Sequence, residues 1–461
     1  MNTPVTRRRF LQVAAMAAAQ LGAGMLAGCR PNIPRLDAET MIPAATDAAT
    51  AAATASTAAS ATAAATASSM PTATASATSS ATNTIAPTTT PAPAVAQSVA
   101  PRTYLPYLQK SPTLPTPTLA PTPAPTNTIP APLGPRVVHV RDQGATSWGG
   151  ETAYWNYVNQ TLVNEMVDEG LMALTGATTV ADAWRALIPN YRAGQIVAIK
   201  INLNNSTSCD DADGQIDALV HPVNAIIRGL KLIGVPEAAI CVFDASRRIP
   251  TQFVNGCLYS GVVFRDAGCR QGAGWSSTAV VFQPPAGVTM PPQTFLDNVV
   301  VGCSYLINMP ILKPHGIAGV SLTFKNHFGD ITNPWNLHDY IGLDWRLYRT
   351  DYNPLVDMFR SPHLGGKTVL ILADALFAAK GFEAKPATWS TFGNQVPNSI
   401  FLSVDPVAMD CVLCDFLEAE LGLPAESDTY LALASQAGLG VYERGNPWGG
   451  GYGNIQYVRL T

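Results

Sequence analysis

Apolar residues follow two different spacings along residues 136–461. Short runs at 196–201 and 239–243 are almost wholly apolar, which is typical of strands buried on both faces. Residues 221–233 instead repeat apolar side chains every three or four positions, and Gly234 follows directly, as expected for an amphipathic helix and its end. Because strands that alternate with helices need crossover connections, this pattern predicts an α/β fold with a mostly parallel β-sheet flanked by helices.

The same spacing rules predict eight strands and five helices in this region. The strands are predicted at 136–140, 196–201, 239–243, 262–265, 305–309, 368–373, 400–404 and 455–460. The helices are predicted at 157–174, 221–233, 320–327, 407–421 and 429–436.

Residues 1–29 have the pattern of an export signal. Three consecutive arginines at 7–9 precede Phe-Leu and an apolar run over 13–27. The run is too short to cross a bilayer about 30 Å thick as a helix, and the arginines indicate the twin-arginine export route. Residues 26–29, Leu-Ala-Gly-Cys, resemble a bacterial lipobox, so we predict lipidation of Cys29. A plain signal peptide with an unmodified cysteine is the alternative.

Residues 30–135 differ in composition from the rest of the chain. They are largely Ala, Thr, Ser and Pro, and only seven of them are charged. Such a stretch cannot bury enough apolar surface to offset the entropy lost on ordering, so we predict a disordered linker. The folded domain is therefore expected over residues 136–461, which is long enough for one large α/β core or two modest ones.

Charge argues against one class of partner. The chain has a formal net charge of −4, and residues 136–461 hold 21 basic and 29 acidic residues. A net charge of −8 in the folded part argues against binding to nucleic acid. The expected partners are the twin-arginine translocase during export and the membrane through lipidated Cys29. This predicts a bacterial protein that is extracytoplasmic and lipid-anchored.

Charged residues lie at or just after the ends of five predicted strands. They are Lys200, Asp244, Lys313, Asp374 and Asp405. Since ligands bind beyond the carboxyl ends of strands in open parallel sheets, we expect these side chains along one edge. A lysine inside an apolar strand, as at Lys200, needs an anionic partner or an exit to solvent. The aspartates could instead cap helices, Asp405 above all because a proline follows it.

Basic side chains are concentrated in the segment 308–329. It contains Lys313, His315, Lys325 and His327 but no acidic residue. One interpretation is an anion site, in which Lys and His donors hold a small phosphate or carboxylate ligand. A second is a divalent metal site that includes nearby carboxylates. Ordinary surface lysines and capped histidines are the third.

Two candidate sets of residues follow from these interpretations. The catalytic candidates are Lys200, Lys313, His315 and Lys325. The candidate metal ligands are Asp244, His315, His327 and Asp374. In an enzyme, Asp244 and Asp374 would serve as metal ligands or as general bases. The sequence names no cofactor beyond this candidate divalent metal ion.

Several motifs together resemble the domain-of-unknown-function family 362 (DUF362). They are Val-Ala-Ile-Lys-Ile-Asn-Leu at 197–203, His-Pro at 221–222, Asn-Met-Pro-Ile-Leu-Lys-Pro-His at 308–315, Lys-Asn-His-Phe-Gly at 325–329 and Ser-Val-Asp-Pro-Val-Ala-Met-Asp at 403–410. The resemblance implies an α/β domain of unestablished biochemical role and supplies no catalytic residues. Similar proteins are often joined to ferredoxin-like iron–sulfur modules. This sequence lacks the cysteine run of such a module, so no iron–sulfur cluster is predicted in it.

Seven cysteines remain when Cys29 is set aside, and an odd number cannot pair completely within one chain. Cys411 and Cys414 have the spacing of a redox pair. They lie one turn apart in a predicted helix, however, so two buried apolar cysteines are the favoured interpretation.

Two classes of function remain open at this level. The first is an enzyme whose pocket at the strand ends holds a metal ion or an anionic substrate. The second is a cell-surface lipoprotein that binds a small anion without turnover, with a redox or iron–sulfur-associated protein as a further alternative. The sequence contains no phosphate-binding P-loop, no nucleophile elbow and no zinc-protease helix motif.

Overall fold

A nine-stranded β-sheet forms the centre of the protein. The computed structural model describes residues 134–461. The strands of this region are β1 Arg136–Arg141, β2 Val197–Ile201, β3 Ile240–Phe243, β4 Val263–Asp266, β5 Gln271–Gly272, β6 Trp275–Ala279, β7 Phe295–Asp297, β8 Tyr305–Met309, β9 Pro314–His315, β10 Gly319–Val320, β11 Thr368–Ala375, β12 Ser399–Ser403 and β13 Gln456–Leu460. The central sheet has the order β13-β1-β12-β11-β8-β2-β3-β4-β5, and β6-β7 and β9-β10 form two small separate ribbons.

Eight of the nine central strands run in the same direction. β12 pairs antiparallel with both β1 and β11, and every other neighbouring pair in this sheet is parallel. The predicted α/β fold with a mostly parallel sheet is therefore confirmed. β12 alone ends at the opposite edge from the other eight strands.

Helices cover both faces of the sheet. The α-helices of the described region are α1 Gln160–Thr175, α2 Val180–Leu187, α3 Val220–Leu232, α4 Thr251–Asn255, α5 Asn298–Gly302, α6 Thr323–Asn326, α7 His338–Ile341, α8 Pro354–Phe359, α9 Pro406–Leu421 and α10 Thr429–Gln436. Short 3-10 helices occur at Tyr154–Tyr157, Glu237–Ala239, His327–Asp330, Pro334–Leu337 and Ser390–Phe392. α1, α2 and α3 pack on one face, while α6, α8, α9 and α10 pack on the other.

Alternation along each strand supplies the two apolar cores. In β2, Val197, Ile199 and Ile201 face the core under α1 to α3, whereas Ala198 faces the core under α9. All five residues of β2 are buried, which explains why its sequence is a continuous apolar run and not an alternating one.

The predicted helix over 320–327 is shorter in the structure. Gly319 and Val320 belong to β10, and Gly319 has a φ of 78°, a left-handed conformation that suits glycine. The helix begins at Thr323 and passes into a 3-10 turn at His327. Helix α2 was not predicted, although Thr179 caps it and Ala183, Trp184 and Leu187 bury its apolar side.

One disulfide joins two loops at the carboxyl edge of the sheet. Cys209, in the loop after β2, is bonded to Cys269, which follows β4. Within residues 134–461, five cysteines are free, and Cys411 and Cys414 are both fully buried in α9. The interpretation of these two as buried helix cysteines is confirmed.

The predicted export signal, Cys29 and nearly all of the predicted linker lie outside the described residues. Over residues 134–461, none of the helices combines the length and the apolar character needed to cross a membrane.

Candidate functional site

A cavity of about 130 Å³ lies beyond the carboxyl ends of β2, β3 and β8. The chain leaves β2 toward β3, β4 and β5 on one side and returns to β8 on the other, so the strand order reverses at β2. Such a reversal is where open α/β sheets bind ligands. The side chains that line the cavity include Asn202, Asp244, Arg247, His315, Lys325, Phe328, His338 and Phe382.

Lys200 is a fully buried cation directly beneath this cavity. Its Nζ lies 3.1 Å from Asp244 Oδ2 and 3.9 Å from Asp330 Oδ1, and it donates to the carbonyl oxygen of Ile201 at 2.6 Å. A third acceptor is Asn326 Oδ1 at 3.4 Å. The sequence predicted either an anionic partner or an exit to solvent for Lys200, and the structure shows two carboxylates beside it.

Asp244 lines the cavity, but both of its carboxylate oxygens are engaged. Oδ2 accepts from Lys200 and from the backbone N–H of Leu203, and Oδ1 accepts from the N–H and hydroxyl of Ser246. Gly329 packs against the same pair, since a Cβ there would lie 2.5 Å from Lys200 Nζ. Asp244 thus holds Lys200 and the loop after β3 in place.

His327 points into the protein interior and away from the cavity. Its Nδ1 lies 2.6 Å from Asp330 Oδ2, and its Nε2 lies 3.0 Å from the amide nitrogen of Asn308. An amide nitrogen can only donate, so Nε2 is the acceptor and Nδ1 carries the proton. Burial, with a contribution from Lys200, lowers the pKa of His327 to about 3, and burial raises the pKa of Asp330. Both ring nitrogens are occupied.

His315 faces the cavity as a fixed hydrogen-bond donor. Its Nδ1 accepts from the backbone N–H groups of Ile317 and Ala318, both at 3.1 Å, so the proton of the neutral ring is on Nε2. The ring lies between His338 and Phe382. Burial first, and then the charge of Lys325, lower the pKa of His315 far below its usual value. A neutral imidazole held in one tautomer can donate to an oxygen atom that gains negative charge.

Lys325 lines the cavity without an acidic partner. It is 8% exposed, and its Nζ lies 4.2 Å from the centre of the Phe328 ring. Burial first, and then the charges of Lys313 and Arg247, lower the pKa of Lys325 to about 7. A buried ammonium normally has a carboxylate beside it, and none of the ion pairs within residues 134–461 includes Lys325.

Two further cations stand close to Lys325. Arg247 lines the cavity, and its guanidinium donates to the backbone oxygen of Asn204 at 2.9 Å. Lys313 lies behind the wall, where it is fully buried and its Nζ donates to the carbonyl oxygen of Phe382 at 3.3 Å. Burial lowers the pKa of Lys313 to about 8, although the charge of Asp217 opposes this. The cavity therefore has an excess of positive charge.

A carboxylate from α9 positions the segment that carries Lys325. Asp410 accepts from the backbone N–H groups of Thr323 and Phe324, the first two residues of α6, and from the hydroxyl of Tyr430. It takes up N–H groups that have no partner within the helix. From this anchored turn, Lys325 points into the cavity, while Asn326 and His327 join the network around Lys200.

The four residues predicted as metal ligands are not brought together. Over residues 134–461, no three His, Cys, Asp or Glu side chains are grouped so that they could hold a metal ion. Asp374 instead accepts the N–H groups of Leu219, at the start of α3, and of Leu376. Burial raises the pKa of Asp374 to about 7. Asp244 and His327 are also fully engaged in hydrogen bonds. Of the four predicted metal ligands, only His315 keeps a ring nitrogen free toward the cavity.

Asp405 does not belong to this edge, which corrects the expectation that five strands deliver their charges together. It follows β12, the strand that runs in the opposite direction. Its Oδ1 caps α9 by accepting from the N–H groups of Val407 and Ala408. The capping role is the one that the following proline favours.

Several residues of the site were missed by sequence reasoning. Arg247 lies three positions after Asp244, and a search for charges beyond the strand end would have included it. Asp330 and His338 follow the basic segment. Asn308 begins the motif at 308–315, but its place in an otherwise apolar strand gave it no role. Asp410 ends the motif at 403–410, but nothing local gave it a role, because its partners are 86 and 87 residues away in sequence.

A larger cavity of about 480 Å³ lies at the start of α3 and is chemically different. Its walls include Trp155 and Phe253, and its charged residues are the aspartates 211, 213 and 217, with neither lysine nor arginine. Asp211 and Asp213 accept backbone N–H groups of their own loop. This cavity is not suited to an anion.

Comparison with protein families gives one match. Residues 197–415 match the family described as "Domain of unknown function (DUF362)". This match supports the DUF362 family. The matched region runs from β2 into α9 and contains the whole cavity, and the family description names no activity. No curated protein matches the sequence.

Among solved structures, the chain is similar to the lactate racemase apoprotein from Thermoanaerobacterium thermosaccharolyticum. The sequence identity is 14% and the TM-score is 0.33, over 55% of this chain and 54% of that chain. The chain thus spans about half the length of the racemase structure. Similarity at this level carries no conclusion about activity.

Replacing Lys200 by methionine tests the network beneath the cavity. Lys200→Met leaves Asp244 and Asp330 buried without their cation, and breaking a buried pair in this way costs about 3–5 kcal/mol. We expect the free energy of unfolding in urea to fall by that amount. Lys231→Met is the matched control, because Lys231 pairs with Glu237 where both side chains are partly exposed. Equal losses in the two variants would contradict the account.

Proposed function

We propose that the cavity binds a small oxyanion, a carboxylate or a phosphate, and that the protein is an enzyme acting on it. The observation that carries this proposal is Lys325, a buried ammonium that faces a cavity and has no carboxylate beside it. A second cation, Arg247, lines the same cavity, and Lys313 stands behind it.

Charge balance supports an anionic ligand. A buried charge is costly unless it is paired, and like charges close together raise that cost further. Lys200 meets this requirement inside the protein. None of the ion pairs in the described part of the chain includes Lys325, Lys313 or Arg247, although the charge of Asp217 acts on Lys313 from a greater distance. An anion in the cavity would supply the counter-charge and accept charge-assisted hydrogen bonds from these donors.

The chemistry of the wall supports turnover as well as binding. A lysine with a pKa near 7 exchanges a proton readily at neutral pH, which is what general acid–base catalysis requires. The Nε2–H of His315 is a fixed donor for an oxygen atom that gains negative charge in the reaction. Lys325 and His315 are therefore the residues to which we assign roles in the reaction.

Anion binding without turnover is the second candidate. It is favoured by the state of Asp244, the carboxylate in the cavity wall, whose oxygens are all engaged and which cannot act as a base. A protein that only binds the anion would need the cations of the cavity and no general base.

We also propose that the protein works outside the cytoplasm, anchored by lipid at Cys29. The arginine pattern and the lipobox of the N-terminal segment support this location. The Cys209–Cys269 disulfide supports it too, since disulfides persist mainly in oxidising compartments.

Binding of acetate should weaken as the pH rises through about 7. Below that value Lys325 is charged with or without the ligand, whereas above it the free protein has lost a proton that binding must restore. Affinity should then fall by up to about tenfold per pH unit. Isothermal titration calorimetry between pH 6 and 9 measures this, because acetate stays ionised throughout. An affinity that does not change with pH would contradict the assignment of Lys325.

Neighbouring arginines provide the matched control for that experiment. Arg247→Gln removes a donor from the cavity and should weaken acetate or phosphate binding by roughly tenfold or more. Arg248→Gln should bind normally, because Arg248 is exposed and donates to Thr207 outside the cavity. If no anion binds, or if both variants bind equally, the proposed site is wrong.

Lipid anchoring is tested by Cys29→Ser in a bacterial host with twin-arginine export. The wild-type chain should appear in the membrane fraction, and the variant should be released into the soluble extracytoplasmic fraction because it lacks the acyl chains. Cys257→Ser, which alters a free cysteine of the folded domain, should stay with the membrane. Equal partitioning of wild type and Cys29→Ser would exclude the anchor.

A further inference from the structure

Lys325 differs from the other buried lysines of the described region in what surrounds its amine. Lys200 Nζ lies between two carboxylates, and the other two donate to backbone carbonyl oxygens, Lys313 to Phe382 at 3.3 Å and Lys367 to Val300 and Val301 at 2.8 Å. Lys325 Nζ has an aromatic ring on one side and a cavity on the other. A lysine that is desolvated, unpaired and close to other cations is the kind that proteins use as an amine nucleophile.

We propose that Lys325 forms a covalent imine with a small oxo acid held in the cavity. This inference rests on the proposed function, because the carboxylate of the oxo acid would be the anion that the cavity binds. It adds the chemical class of the substrate and a bond between substrate and protein.

The arrangement of the wall fits such a substrate. The guanidinium of Arg247 can hold a carboxylate, and the Nε2–H of His315 can donate to a carbonyl oxygen. A cavity of about 130 Å³ is well below the usual size of pockets for larger ligands. It leaves room for roughly half a dozen non-hydrogen atoms, which is the size of a three-carbon oxo acid.

The reaction balances with no reactant other than one proton from solvent. The neutral amine of Lys325 attacks the carbonyl carbon, an N–C bond forms, and one proton passes from the nitrogen to the carbonyl oxygen to give a neutral carbinolamine. The oxygen then takes a second proton, from solvent, the C–O bond breaks and water leaves, so that an imine, protonated at Nζ, joins the lysine to the substrate carbon. No electrons are exchanged with an external group, and the hydrogen bond from His315 stabilises the oxygen while its charge changes.

The amine must be unprotonated to react, and in the free protein its surroundings favour that state. Burial and the neighbouring cations bring the pKa of Lys325 to about 7, so a large fraction is neutral at pH 7.5. A lysine with an ordinary pKa is neutral in only about one molecule in a thousand at that pH.

Reductive trapping with pyruvate tests the inference. The purified full-length protein is incubated with pyruvate and sodium borohydride, which reduces an imine to a stable secondary amine, and is then analysed by intact mass and peptide mapping. We expect one adduct per chain at Lys325, with lysines of ordinary pKa labelled at least about tenfold less. Lys200, Lys313 and Lys367 serve as internal controls in the same digest. Lys325→Arg should lose the adduct.

Lactate separates a failure of this inference from a failure of the proposed function. It has the carboxylate but no carbonyl group, so it should raise the melting temperature of the wild type, compete with pyruvate for labelling and form no adduct itself. If pyruvate and lactate both raise the melting temperature but Lys325 is not labelled, the imine is wrong and the anion site stands. If neither binds, both proposals fail. Labelling spread evenly over surface lysines would also overturn the imine.

Discussion

The site depends on one constraint, that a charge buried in the sheet must be paired. Lys200 lies inside a wholly buried strand, and desolvating its ammonium is costly unless carboxylates stand beside it. Asp244 at the end of β3 and Asp330 in the turn after α6 meet that need. Their pairing draws together the loops that follow three neighbouring strands, and Asn326 and His327 complete the hydrogen bonds. The carboxyl edge of the sheet takes its shape from this network.

Lys325, the residue before Asn326, differs from Lys200 because its charge is not paired with a carboxylate. Its ammonium is also buried, yet it forms no ion pair with any acid of the described residues, and a cavity lies beside it. The two lysines therefore have different roles. Lys200 stabilises the fold through its ion pairs with internal carboxylates, whereas the unpaired charge of Lys325 can be neutralised by a small anion. The proposals about ligand and chemistry both follow from this difference.

Much of the fold and part of the site could be predicted from the sequence. Continuous apolar runs mark strands buried on both faces, so the α/β class, the main strands and the concentration of charge beyond β2, β3 and β8 were accessible. The direction of each strand could not be predicted, because an apolar run does not indicate whether a strand is parallel or antiparallel to its neighbours. Asp405 was therefore placed at the wrong edge of the sheet. The orientation of His327 was also hidden, since it depends on Asn308 and Asp330 meeting in space. The role of Asp410 could not be predicted because its partners are distant in sequence.

Lys325 is a buried lysine without an anionic partner in the free protein, and the ionisation of its ammonium measures this most directly. Heteronuclear NMR of the protein with labelled lysine side chains gives the pKa of the Lys325 ammonium, with Lys325→Arg assigning the signal. The account predicts a value of about 7 in the free protein and a clear rise when acetate is added. An ordinary value of about 10.4, unchanged by acetate, would contradict it.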